Sequence, residues 1–322
     1  MNEPQSPNPQ DNGKWQQEVL TKLVFASVNE QRRARRWSIF FKAVFTGYLF
    51  LVLFVMLSGG EGERRTYKPG KHTSLIEIKG VIAAGADASA DNVINGLRDA
   101  FDDKDTAGII LRINSPGGSP VQAGYINDEI KRLRGKHPKI KVYAVITDIC
   151  ASGGYYIASA ADEIYADKAS LVGSIGVLMD GFGFTGAMQK LGVERRLLTA
   201  GVNKGFLDPF SPADPKQEAY AKQMLEEIHG QFIAAVRAGR GKRLKETPDM
   251  FSGLVWSGEK SIQLGLADGY GTVDSVARDV IKAEDIVDYT QHAGLAERLV
   301  GRLGVTMGKA LAPFEKSGLV LR

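Results

Sequence analysis

Apolar and polar positions follow two different rhythms along the chain. Between Trp37 and Leu57 the run WSIFFKAVFTGYLFLVLFVML is apolar almost throughout, with Lys42 its one charge. A helix of that length spans about 30 Å, enough to cross a bilayer core. From about Leu75 onward, short apolar runs alternate with amphipathic ones. SLIEIKGVI (74–82) reads as a strand or hairpin, DNVINGLRDAFDD (91–103) as a helix and AGIILRI (107–113) as a buried strand. SPVQAGYINDEIKRLRG (119–135) then reads as a helix, KVYAVITD (141–148) as a strand, GYYIASAAD (154–162) as a helix and DEIYAD (162–167) as a short strand. GSIGVLM (173–179) leads through a glycine-rich turn into TGAMQKLG (185–192), and ERRLLTA (194–200) reads as a further strand. From Pro215 the spacing is helical for some 26 residues. Strands alternating with helices predict an α/β domain with a largely parallel sheet and flanking helices.

Around these elements the chain divides into five parts. Residues 1–36 form an N-terminal segment whose first 14 residues, rich in Pro, Asn and Gln, are expected to be disordered. Lys14 to Arg36 has the spacing of a short helix. Residues 37–57 form one transmembrane helix, 58–74 a polar linker, 75–283 the folded domain and 284–322 a C-terminal extension.

Charge adds orientation. The net charge of +4 is too small to imply nucleic acid, and much of it is local, in Arg32, Arg33, Arg35 and Arg36 beside the apolar run. By the positive-inside rule that cluster stays in the cytoplasm, which sends the folded domain to the far side of the membrane. SGGEGER (58–64) offers no A-x-A cleavage site, so an uncleaved single-pass anchor is expected. Cys150 is the only cysteine, which excludes an intrachain disulfide and a Cys-rich metal site.

Two glycine-rich stretches stand between a strand and a helix. In INSPGGSP (113–120), Ser119, Pro120 and Gln122 make an S-x-x-Q capping box, while Gly117 and Gly118 leave backbone N–H groups open beside a helix start. Such groups suit a developing oxyanion, and they equally suit a plain tight turn. In CASGG (150–154), Ser152 approximates the nucleophile position of G-x-S-x-G, although a serine there can also cap a helix. A proton acceptor is not obvious. His72 falls in the linker, His137 in a basic loop, and His229 and His292 in helical or tail regions. A lysine made neutral by burial can replace histidine. TAGVNKGFLDPFSP (199–212) offers Lys204 between Gly201 and Gly205, and a solvated turn lysine is the plainer alternative.

The ordered set GIILRINSPGG, DICASGGYYIASAADEIYA, GSIGVL, TAGVNKGFLDPF and WSGEKSIQLGLADGYGTVDS closely resembles the signal peptide peptidase A family, from about Leu75 to Lys282. These are membrane-anchored bacterial serine proteases with a crotonase-like fold and a Ser-Lys dyad, related more distantly to Clp-type proteases. The resemblance implies Ser152 as nucleophile, Lys204 as general base, and the Gly118 and Gly153 N–H groups as the oxyanion hole. It implies no cofactor or metal, and peptide substrates such as signal-peptide remnants. The single copy of the domain resembles the short form of the family. Relatives of that form assemble into homo-oligomeric rings in which the lysine reaches the serine of an adjacent subunit.

Other readings predict different things. GFGFTG (181–186) matches G-x-G-x-x-G, but no acid ends the ERRLLTA segment, as a dinucleotide site would want. A crotonase-like acyl-CoA enzyme would keep its activity without Ser152, and a non-catalytic membrane scaffold would leave Ser152 unreactive. EKSIQLGLAD (259–268) reads as a packing helix and DDKD (102–105) as a solvated charge run.

Overall fold

The structure, a computed structural model, describes residues 9–58 and 70–291. The first unit contributes one continuous helix, α1 (Pro9–Ser58). Residues 9–14, expected to be disordered, belong to it, and it runs unbroken through the arginine cluster. Its stretch Thr21–Phe54 is long and apolar enough to cross a membrane, by length and composition. Trp37, Phe40 and Phe41 pack on one another beside the arginines, with ring centroids 5.7–5.8 Å apart. Aromatic side chains of this kind favour the membrane–water boundary.

The second unit is the α/β domain. Its strands are β1 (His72–Ile82), β2 (Thr106–Gly118), β3 (Lys141–Ala151), β4 (Glu163–Ala166), β5 (Leu171–Gly173), β6 (Val255–Ser257), β7 (Gly269–Tyr270) and β8 (Ile286–Asp288). The main sheet path is β6-β5-β3-β2-β1-β8, and all pairs are parallel except β5 with β6. Strand β3 changes partner along its length, pairing with β4 at Tyr143–Ile146 and with β5 at Ile149–Ala151. Strand β4 in turn carries β7. At the step between the two partners, Ser170 Oγ donates to the Thr147 carbonyl.

Helices α2 (Ala90–Asp102), α3 (Pro120–Lys136) and α4 (Gly153–Ala158) cover one face of the sheet. Their apolar residues Val93, Leu97, Ile126, Ile130 and Ile157 bury against Ile76, Ile78, Ile109, Leu111 and Ile113. The alternation of Ile76 and Ile78 with Leu75 and Glu77 is what sends alternate side chains to opposite faces. On the other face Val276 and Ala277, from a short helical stretch (α8, Val273–Ser275, continuing as a π turn Val276–Ile281), cover Leu75, Ile110 and Val145.

The long helix α6 (Pro215–Arg240) starts with Asp214 accepting from the Lys216 N–H and with Pro215 in its first turn. It docks mainly through its C-terminal half, where Phe232 and Val236 enter the core. Its last residue, Arg240, is fully buried. The guanidinium donates to both Asp268 carboxylate oxygens at 2.8 Å and to the Gly265 carbonyl at 2.9 Å. Asp268 also accepts the Ile164 N–H at 2.7 Å, so this pair ties α6 to β4. Burial alone would raise the Asp268 pKa, but the hydrogen bonds and charge of Arg240 outweigh it and hold the carboxyl below its usual range.

Several expectations change. ERRLLTA is not a strand: residues 194–200 are exposed, Leu198 at 96%. The outer edge of β5 is taken instead by β6, three residues the sequence pattern does not mark. The domain begins at β1 with His72, Thr73 and Ser74 buried, three positions the linker was expected to hold. It also extends past 283, because β8 adds to the open edge of β1. DDKD is only partly solvated. The Tyr289 hydroxyl donates to Asp103 at 2.6 Å, and His72 Nε2 lies 3.9 Å from the same carboxylate. The capping box on α3 is half formed: the Gln122 N–H donates to Ser119 Oγ, but the Gln122 side chain accepts from Ala90 N–H at the start of α2. Residues 59–69 of the expected linker and 292–322 of the expected extension, with His292, lie outside the described residues.

Candidate active site

Ser152 stands at the junction of β3 and α4 with φ 51° and ψ −122°, one of four non-glycine positive-φ residues among those described. That backbone is costly for a side chain and marks a sharp strand-to-helix turn. The turn is over-determined by its neighbours. Ser152 N–H donates to the Gly173 carbonyl at 2.8 Å, and its carbonyl accepts the Tyr156 N–H at 2.9 Å. The hydroxyl makes no capping hydrogen bond to α4, so the capping reading of this serine is not what the structure shows.

The end of β2 presses against this turn. Gly117 has φ +100° and Gly118 φ +151°. A β-carbon on Gly118 would come 2.1 Å from the Ile82 carbonyl oxygen, so no side chain fits there. A β-carbon on Gly153 would come 3.3 Å from the Gly118 nitrogen. The two glycines expected to donate to an oxyanion are therefore immediate neighbours beside Ser152. Ser152, Gly118 and Gly153 line one cavity of about 570 Å³. Pro116, Tyr156, Val177, Leu178, Ile228 and Phe232 give it a mostly apolar wall.

Ser174 lines the same cavity and, like Ser152, has a positive φ, here 49°. It escaped notice as a site residue, although it sits in the GSIG motif, where glycines on both sides signal an unusual backbone. Cys150, two residues before Ser152, is fully buried, and burial pushes its thiol pKa far up, which leaves it inert as a nucleophile.

Lys204 is placed elsewhere. It sits on an exposed turn, its N–H donating to the Gly201 carbonyl at 3.1 Å, and it is not among the residues lining the Ser152 cavity. Its loop is anchored by Phe184 N–H donating to the Pro209 carbonyl at 2.7 Å and by Phe184 stacking on Phe210 at 5.4 Å. Within the single chain Lys204 is therefore not buried, and in the sequence just before it Leu198 and Val202 are largely exposed too. No histidine lines the cavity among the described residues. His72 is buried at the start of β1, His137 follows α3, and His229 Nε2 faces the Ile175 carbonyl at 3.1 Å. Nor is any cluster of three or more His, Cys, Asp or Glu able to hold a metal present among the described residues.

Residues 134–287 match the family model described as Peptidase family S49. The chain is 32% identical over 233 residues to a putative protease, MJ0651, of Methanocaldococcus jannaschii, covering 69% of this chain and 74% of that one. It is 26% identical over 265 residues to a putative signal peptide peptidase SppA of Enterococcus faecium, covering 76% of each. It is also 43% identical over 209 residues to a Na(+)/H(+) antiporter NhaA of Brucella melitensis biotype 1. That match covers 63% of this chain but spans only 28% of the much longer relative. The chain belongs to peptidase family S49, the signal peptide peptidase A family.

Proposed function

We propose that this is a membrane-anchored endopeptidase that cleaves apolar peptides, such as signal-peptide remnants, through a Ser152–Lys204 dyad. The observation that carries it is the strained Ser152 turn, its hydroxyl unused in capping and its backbone packed against Gly117 and Gly118. Neutral Lys204 Nζ removes the Ser152 Oγ proton as that oxygen attacks the peptide carbonyl carbon. The oxyanion formed accepts hydrogen bonds from the Gly118 and Gly153 N–H groups. Lys204 then passes the proton to the leaving amine, the C–N bond breaks, and an acyl-enzyme remains. Water, deprotonated by Lys204, attacks the ester and releases Ser152.

In this reading Lys204 is supplied to Ser152 by an adjacent subunit of a homo-oligomeric ring, which its exposure and its place outside the cavity lining support. The exposed apolar side chains around it suit burial in such an interface, which would also desolvate the ammonium. The apolar cavity wall favours apolar substrate side chains. Helix α1 anchors the protein, with the arginine cluster cytoplasmic and the peptidase domain on the extracytoplasmic side.

The test is hydrolysis of a fluorogenic leucine-rich peptide by the detergent-solubilised full chain, with Ser152→Ala as blank. Loss of activity in Lys204→Ala, with the assembly intact, supports the dyad. An active Lys204→Ala would move the base to another group, and a wild type no faster than the blank would overturn the peptidase mechanism.

A further inference from the structure

The oxyanion strand is held in place by a side chain that the mechanism above does not use. Ser115 is fully buried at the point where the β1–β2 ladder breaks its register. Lys79 pairs with Asn114, but the next pair is Val81 with Gly117, so β2 carries one extra residue. The β2–β3 ladder shifts at the same place, between Ile113 and Ser115. A bulge of this kind leaves backbone groups without their ladder partners. Pro116, inside it, has no N–H to offer.

The Ser115 hydroxyl takes over both sides of the break. It donates to the Gly80 carbonyl of β1 at 2.6 Å and accepts the Gly117 N–H at 3.1 Å. Its residue also abuts the first turn of α4: a β-carbon on Gly154 would come 3.1 Å from the Ser115 carbonyl oxygen and 3.4 Å from its Cβ. One buried residue therefore meets β1, the Gly117–Gly118 segment and the turn just after Ser152.

We infer that Ser115 is a positioning residue, whose hydroxyl fixes the Gly117–Gly118 backbone against the Ser152 turn and so sets the oxyanion donor. This rests on the proposed oxyanion role of Gly118. Without the hydroxyl the Gly117 N–H and Gly80 carbonyl lose a shared partner, and the two glycines are free to relax out of their positive-φ conformations. Most of the substrate groove, formed by α4, α6 and the segment after β5, stays as it is, and of its lining only Pro116, Gly118 and Pro120 lie beside the bulge. The loss therefore falls on the transition state and not on ground-state binding.

The experiment compares wild type, Ser115→Ala and Ser115→Cys as full chains in detergent, with Ser152→Ala as blank. Both variants keep the Ser115 carbonyl and Cβ that face Gly154, and cysteine fills the hydroxyl's place with a larger atom that is a much weaker hydrogen-bonding group. Three readouts are taken: kcat and KM on a leucine-rich fluorogenic peptide, inhibition by a peptidyl boronate, and thermal midpoint. The boronate forms a tetrahedral adduct on Ser152 that places an oxygen among the oxyanion donors. The expected result is a kcat about 10- to 100-fold lower in both variants, KM within about threefold, and boronate inhibition weakened in step with kcat/KM. Should Ser115→Ala fail to fold, Ser115→Cys carries the test alone. A folded variant with wild-type kcat, or one that loses peptide binding while boronate inhibition holds, overturns the inference. Failure of both variants to fold makes Ser115 a residue of the fold only and overturns it too. A wild type that matches the Ser152→Ala blank fails at the earlier step, and takes this inference down with the dyad.

Discussion

A β-carbon on Gly117 would stand 2.6 Å from the β-carbon of Ser152, and 2.8 Å from the Ala151 carbonyl oxygen. The end of β2 and the nucleophile turn at the end of β3 thus touch backbone to backbone, with no side chain between them. That closeness has a chemical use. A donor for an oxyanion on a Ser152-bound carbonyl must lie within hydrogen-bond reach of that oxygen, and the approach of Gly117 sets the Gly118 nitrogen beside Gly153, the residue after Ser152, as the proposed role requires.

Gly117→Ala follows directly. Its φ of +100° strains any side chain, and the new methyl meets Ser152, Gly153 and Ala151 together. The backbone must separate, costing about 2–4 kcal/mol in stability. Fluorophosphonate labelling of Ser152 is expected to fall at least 100-fold in the fraction that remains folded by circular dichroism. Labelling at the wild-type rate would show that the contact is incidental to reactivity.

Arg240 and Asp268 make a prediction about the scaffold. Arg240→Ala leaves Asp268 without its bidentate partner, with only the Ile164 N–H and the half-exposed Arg243 at 3.4 Å remaining to it. Losing one member of a buried pair costs about 3–5 kcal/mol. For a domain of this size that lowers the thermal midpoint by about 10 °C. A double replacement by Met at 240 and Leu at 268 removes both charges and is expected to cost less than Arg240→Ala. If instead the double variant melts lower than the single, the pair stabilises by more than mutual compensation.

Much of this region was legible because it is locally encoded. GIILRI and KVYAVI are apolar runs of strand length, and small residues crowd just where each ends, so the two strand-turn-helix junctions declare themselves. What escaped depends on partners far along the chain. Strands β6 and β8 are three residues each and exist only because β5 and β1 offer open edges. ERRLLTA has a fair strand composition yet pairs with no strand. Asp103 looks like part of a charge run until Tyr289, 186 positions away, reaches it. The role of Lys204 was illegible for a further reason: it lies on an exposed turn, and nothing in its local sequence separates a base from a solvated lysine.

Acid stability should report Glu129. This buried carboxylate accepts from Arg132 and Arg98 at 2.7–2.9 Å. The hydrogen bond from Arg132, then that from Arg98, hold its pKa at about 2, against the burial that would raise it. Because the folded value lies below the unfolded one, the charged form stabilises the fold. The contribution is full above about pH 4.5 and is lost as pH falls toward 2. With both arginines half exposed it is on the order of 1 kcal/mol. Urea melts of wild type and Glu129→Gln should differ most near neutrality and converge between pH 4.5 and 2. A gap constant over that range would place the Glu129 effect in packing and not in charge.

The shared dyad makes the sharpest prediction. Ser152→Ala and Lys204→Ala chains are each expected to be inactive alone. In a mixed ring, a Lys204→Ala subunit still offers its serine, and a neighbouring Ser152→Ala subunit still offers its lysine. With equal, random mixing about a quarter of the interfaces combine the two intact groups, so activity should return to about a quarter of wild type. The mixture has to be dissociated and reassembled, and co-assembly confirmed by pulling down one tagged variant with the other. Recovery on that scale places Lys204 across the subunit boundary, where the exposed Leu198 and Val202 would be buried with it. A co-assembled mixture as inactive as its parents would mean that serine and lysine serve the same chain. The Lys204 loop would then have to move onto the Ser152 cavity before catalysis.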